Sequence, residues 1–176
     1  MEEKLLAIAD EVIALSASNE QIEVIAVHDQ ETDIRVYKGE LESFTASESQ
    51  GVGIRVVQDG RQGMAYAGSL DMEILKETLS EARDNATFGT FDEMLQIAEP
   101  DNVEPISLDL YNPALKEFAT EDKIALAKEL EEYIMKSDER IVGVESSEYV
   151  DSISASAIVT SSGILSLIHI SEPTRR

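Results

Sequence analysis

Apolar and polar positions along this chain follow two periods, and the switches between them lay out an α+β order. Leu5, Ile8, Ala9, Val12 and Ile13 recur at helical spacing, which predicts a helix over residues 3–16. Ser16 to Gln21 is a polar break. Ile22 to His28 carries apolar residues on both parities, which predicts a strand covered on both faces. Further on the period is two. Ile34 and Val36 alternate with Asp33 and Arg35, and Val52, Ile54 and Val56 alternate with Gly53 and Arg55. The reading is a meander with strands at 22–28, 32–38, 41–48, 52–58 and 62–67. Asp59-Gly60 is a strong hairpin signal, because a type I′ turn needs positive φ at its central residues. Gly39 is a second turn candidate.

The second half returns to helical spacing. Asp71 is the predicted N-cap of a helix whose stripe is Leu75, Leu79, Ala82 and Ala86. Residues 88–119 lack sustained periodicity and contain Pro100, Pro105 and Pro113, so they read as a long connection with one helical turn at 91–96. Thr120 is read as the cap of a third helix, with Glu121 and Asp122 at its positive end and Ile124, Ala127, Leu130 and Ile134 on its face. Strands are expected at 141–149 and 152–160, paired across a turn near Asp151, and Ser161-Ser162-Gly163 is a further turn. The fold class is therefore α+β: a mainly antiparallel meander with helices packed on one face, followed by a helix and a strand pair of a truncated second region. The expected domains are 1–90, a linker at 91–119, and the start of a middle region at 120–164.

Composition narrows the function. The formal charge is −22, which opposes binding to nucleic acid or to an anionic membrane surface. There is no cysteine, hence no disulfide framework and no thiol chemistry. No apolar run approaches the roughly 20 residues of a membrane span. The Met-Glu-Glu-Lys start leads into an amphipathic helix rather than a signal peptide, so a cytoplasmic protein is expected.

Several constellations invite a chemical reading. His28-Asp29 suggests an acid–base pair, but neighbours on a strand point to opposite faces, so a strand-end histidine near a turn is preferred. Ser152, Ser154 and Ser156 line one solvated strand face. Lys128, Glu129, Glu131 and Glu132 read as a solvated helix face rather than a cation site. Arg55 and Arg61 flank the hairpin and are read as surface pairs before carboxylate binders. Gly51-x-Gly53 precedes a strand and not a helix, so it is read as turn and close-packing glycine rather than a phosphate loop. No catalytic, cofactor-binding or metal-binding residue is assigned.

The stretch from Val36 to Leu70 resembles the opening domain of the TldD/PmbA group of bacterial and archaeal peptidases. The matching residues are Gly39, Glu40, Glu42, Ser43, Gly51, Gly53, Arg55, Asp59, Gly60, Arg61, Gly63 and Ala65. The order of elements up to Gly163 resembles the family as well. Leu108 to Pro113 and Asp138 to Ile141 look more like the PmbA branch, also called TldE, than the TldD branch. The resemblance implies zinc metallopeptidases whose catalytic subunit carries H-E-x-x-x-H and a cysteine ligand in its later half. It also implies a heterodimer with a TldD-like partner that encloses a chamber for unfolded peptides. Nothing in this chain matches that motif, so zinc is expected in the partner or in a missing half, and no cofactor in this fragment.

Leu165 to Arg175 resembles the in-frame translation of a transposase adapter used in sequencing-library preparation. On that reading residues 165–176 are an artefact with little buried area and few contacts, and His169 carries no information. Three readings stand: the front of a non-catalytic PmbA-like subunit, the front of a TldD-like catalytic subunit, or an independent binding and assembly module.

Overall fold

The computed structural model describes residues 1–101, 103, 106 and 108–175, with only the backbone of Arg175. Pro105, expected in the long connection, lies outside the described residues. The elements are α1 (Glu2–Ile13), β1 (Glu20–Tyr37), β2 (Glu40–Gln58), β3 (Arg61–Ala67), α2 (Met72–Phe88), α3 (Ala114–Glu117), α4 (Thr120–Ser137), β4 (Ser147–Thr160) and β5 (Leu165–Arg175). The strands form one antiparallel sheet in the order β3-β2-β1-β4-β5. The chain groups into two compact units, residues 1–28, 49–108 and 154–169 in the first and 29–48, 109–153 and 170–176 in the second.

The strands are longer than the pattern predicts. The expected strands at 22–28 and 32–38 are one strand, β1, and those at 41–48 and 52–58 are one strand, β2. The polar stretch Asp29–Thr32 is not a turn. It falls between the last β1 residue of one buried cluster, Ala26, and the first of another, Ile34, so it has no core to face. Gly51 and Gly53 lie inside β2, so only the close-packing half of their reading stands. A Cβ on Gly51 would press the Ala67 carbonyl, and one on Gly53 the Ile25 side chain.

The first unit is a helix layer on a sheet. α1 buries Leu5, Ile8, Ala9 and Val12, and α2 buries Leu75, Thr78, Leu79, Ala82 and Ala86. Both stripes join Ile22, Val24, Val52, Ile54 and Val56 in one cluster. Each fully buried Leu, Ile or Val there contributes about 1.5–3 kcal/mol from removed apolar surface. Asp71 caps α2 as expected, accepting from the Glu73 N–H at 2.9 Å. β2 and β3 meet at Asp59-Gly60, both with positive φ (49° and 66°), and pair antiparallel from Gln58↔Arg61 to Val52↔Ala67. The helical turn expected at 91–96 is not a helix but one hydrogen-bonded turn at 93–94, where the Asp92 carboxylate accepts from the Met94 N–H at 2.9 Å.

An ion pair ties α2 to the start of β1, and a hydrogen bond from the same arginine reaches the loop after α1. The Arg83 guanidinium donates to both carboxylate oxygens of Glu20, at 3.0 and 2.6 Å, and to the Leu15 carbonyl at 2.8 Å. Those hydrogen bonds hold the Glu20 carboxyl below the usual range, against the opposing effect of burial, and the Ala17 N–H adds to them. A depressed carboxylate stabilises the fold above its ordinary pKa, about 4.5, and that stability is lost as pH falls through the lower folded value. Arg83→Met is therefore expected to cost about 2 kcal/mol at neutral pH, with the gap to the parent narrowing in acid. Urea unfolding across this range checks the sign.

In the second unit α4 packs Ile124, Leu126 and Ala127 with Phe118, Ile34, Val36 and Tyr149. Three expectations change here. Ala119, not Thr120, is the N-cap of α4, without a side-chain cap bond. The strands expected at 141–149 and 152–160 are one strand, β4, which starts at Ser147. Asp151 is buried inside it and marks no turn.

The turn after Thr160 is present, with Gly163 at φ 101° and the Thr160 N–H bonded to the Ile164 carbonyl at 3.0 Å. It leads into β5, where Leu165, Leu167 and Ile168 are exposed, as is Pro173. The segment makes more contacts than expected. The Ser171 N–H donates to the Leu110 carbonyl and its hydroxyl accepts from the Asn112 N–H. His169 Nδ1 stands 2.5 Å from the Glu2 carboxylate.

Candidate functional site

The second unit buries charge, and that is where its chemistry concentrates. The inward residues of α4 are Lys123, Ala127 and Glu131 at i, i+4 spacing. A buried charge is costly unless it is paired, and both ends of this stripe have partners. Lys123 Nζ lies 2.6 Å from Asp151 on β4, with side chains 10% and 6% exposed. The Tyr149 ring stands 5.9 Å from the same ammonium, within cation–π range. The Ser147 hydroxyl donates to the Ala127 carbonyl at 2.8 Å and ties β4 to the helix.

Glu131 grips a turn. β1 and β2 join through Lys38-Gly39, with φ 52° and 74°. Successive N–H groups in such a left-handed turn form a concavity that suits an anion. Here the Glu131 carboxylate fills it, one oxygen accepting from the Lys38 N–H at 2.7 Å and the other from the Gly39 N–H at 2.6 Å. Sequence reasoning placed Glu131 on a solvated face and missed this. The available signal was its spacing, four residues beyond the buried Ala127.

Beside this clasp lies a cavity of about 670 Å³, bounded by Tyr37, Lys38, Lys128, Glu131, Met135, Val142 and Val144. Its wall combines the apolar Met135, Val142 and Val144 with the charged Lys38, Lys128, Glu131 and Glu132. A second cavity of about 380 Å³ has the Lys123–Asp151 pair in its wall, with Lys116, Glu31 and Glu48.

The other sequence candidates are not brought together. His28 is buried within β1 rather than at a strand end, and Asp29 follows on the opposite face. Ser152, Ser154 and Ser156 sit half-buried on the outer parity of β4. Arg55 pairs with Glu23 at 3.6 Å, and Arg61 donates to the Gly89 carbonyl, so both serve local structure. Lys128 is half-buried, Glu129 is exposed, and Glu132 pairs with Lys136.

Zinc needs three or four converging nitrogen, sulfur or oxygen donors. Among the described residues no group of three or more His, Asp or Glu side chains converges in that way. Among the described residues, then, the donors do not fit a zinc centre. No helix among the described residues is long and apolar enough to cross a membrane.

Two family models match the chain in order: PmbA/TldA metallopeptidase domain 1 over residues 22–86, and the PmbA/TldA metallopeptidase central domain over 113–166. Together they cover more than half of the chain. A comparison with curated proteins finds no match. Among solved structures, a proposed modulator of a DNA gyrase from Thermotoga maritima superposes with a TM-score of 0.79 at 19% identity, over 96% of this chain and 38% of that one. A proposed modulator of DNA gyrase from Bacteroides thetaiotaomicron gives 0.76 at 19% identity, over 98% and 39%. TldE from Thermococcus kodakarensis gives 0.75 at 17% identity, over 96% and 36%. At these identities the likeness is one of fold, and the chain spans less than two-fifths of each of these structures. With both domain models matched in their order, the chain belongs to the TldD/PmbA family.

Proposed function

We propose that this chain is the N-terminal portion of a PmbA/TldE-like subunit, non-catalytic in itself, of a cytoplasmic metallopeptidase complex acting on unfolded peptides. The observation that carries the reading is the ordered pair of domain matches on a chain with two histidines and no cysteine. The likeness to TldE supports the branch. Zinc and the hydrolytic step belong, on this reading, to a TldD-like partner. The part played by this chain is structural: its strands and a charged clasp offer a surface to that partner and its peptide.

Co-expression with a TldD-like subunit, read by size-exclusion chromatography and a casein assay, tests this. The expected result is co-elution, with cleavage only when the partner is present. Elution apart from every TldD-like partner would favour an independent module. Stoichiometric zinc and cleavage by this chain alone would favour a catalytic subunit.

A further inference from the structure

β2 is 19 residues long, yet β3 pairs with it only over Val52–Gln58. β3 is the last strand of the sheet on that side. All eleven residues from Glu40 to Gln50 are exposed. The N-terminal half of β2 is thus a long strand edge that no strand among the described residues covers.

Backbone direction follows from the turn. In a two-residue type I′ hairpin the flanking residues, Tyr37 and Glu40, exchange hydrogen bonds across the pair. The next residues then alternate, so Leu41, Ser43 and Thr45 aim their N–H and C=O groups outward. The Arg35–Glu42 ion pair, at 2.8 Å, sits at the register this predicts.

Exposed edges in native proteins are commonly blunted by charged side chains, lysine above all, by proline or by bulges. Residues 40–50 contain no lysine, proline or glycine, and their only charges are Glu40, Glu42 and Glu48. They carry instead Leu41 and Phe44, 43% and 46% exposed, on a strand-forming sequence. The charge along this hairpin is mostly negative, with Lys116 and Lys123 near its Glu31 and Glu48 end. Residues 29–50 hold Asp29, Glu31, Asp33, Glu40, Glu42 and Glu48 against only Arg35 and Lys38.

We propose that this edge captures an extended segment of unfolded peptide bearing lysine or arginine, which adds to the sheet as a strand beside Leu41–Thr45. Main-chain hydrogen bonds supply sequence-tolerant affinity, and the carboxylates select cationic segments. The source of the segment rests on the peptide-handling reading above; the open edge does not.

The test measures binding of the 176-residue chain by fluorescence anisotropy. The probe is a labelled peptide of alternating lysine and valine. A version N-methylated at alternate residues loses the docking hydrogen bonds while keeping the charge. Ser43→Pro removes one outward N–H and is compatible with folding only because that edge is open. Binding of the basic probe is expected to weaken about ten-fold or more with the methylated peptide and in the Ser43→Pro chain, and Ser43→Ala should leave it unchanged. Should Ser43→Pro fail to fold by circular dichroism, the methylated peptide decides. Equal binding by the methylated probe, or equal binding of a glutamate–valine peptide, overturns the proposal. So does a self-associated chain that ignores the probe and becomes monomeric with Ser43→Pro, because the occupant is then a second copy. Peptide binding without partner co-elution would sink the subunit reading and leave this one standing; the reverse outcome would do the opposite.

Discussion

Replacing Gly63 by alanine is expected to destabilise the protein by about 3 kcal/mol or more, at the upper end of overpacking changes. Gly63 lies on β3 opposite Val56, under the stripe of α2 that buries Ala82 and Ala86. A Cβ there would fall within contact distance of the Ala82 carbonyl and the Ala86 amide. These are backbone atoms of the helix, so no rotamer change relieves the overlap and α2 must lift from the sheet. Lifting it strains the bond from the Asn85 amide to the Met64 carbonyl, now 2.9 Å, and unseats Leu75 and Leu79. For a chain of this size the loss corresponds to a fall in Tm of about 6–12 °C. Gly143→Ala is the control, since a Cβ there meets nothing within 4 Å, and it should stay within about 0.5 kcal/mol of the parent. Equal midpoints for the two variants in urea would show that α2 is not seated on Gly63.

Lys123→Met should cost about 3–5 kcal/mol, because it leaves the Asp151 carboxylate buried without its cation. The pair is almost wholly enclosed, with side chains 10% and 6% exposed, so the small opening to the adjoining cavity offsets little of the lost interaction. Lys123→Met combined with Asp151→Leu removes both charges and should recover most of that loss, since a buried pair is often close to neutral against apolar residues of similar volume. The double-mutant cycle by chemical denaturation separates the two effects. A single variant as stable as the parent would mean that Asp151 reaches solvent. A double variant no better than the single one would mean that the pair fixes the register of β4 against α4 rather than only neutralising charge.

Much of the fold was legible from local pattern. The stripes of α1 and α2, the Asp71 cap and the Asp59-Gly60 hairpin depend on contacts close in sequence, where periodicity and φ preferences act directly. The family motif was legible for a related reason at Gly39 and Gly60, which answer a local demand for a left-handed turn, whereas Gly63 answers a tertiary one, the close approach of α2. Strand length was not legible. Asp29–Thr32 and Asp151 look like turn residues because polarity marks both a turn and a strand passing between cores, or facing a buried partner. Only the tertiary structure distinguishes those cases.

The candidate site shows the same division. Lys123, Glu131 and Asp151 are ordinary surface residue types, and a helix of alternating charge reads as solvated. Their burial depends on partners 28 residues apart, in Lys123 and Asp151, and more than 90 apart, in Glu131 and the Lys38-Gly39 turn. The sequence by itself determined the two periods, the turn chemistry and the family. The tertiary structure alone decided which carboxylates are buried and which strand edge is left open, because both depend on what long-range pairing places beside each residue.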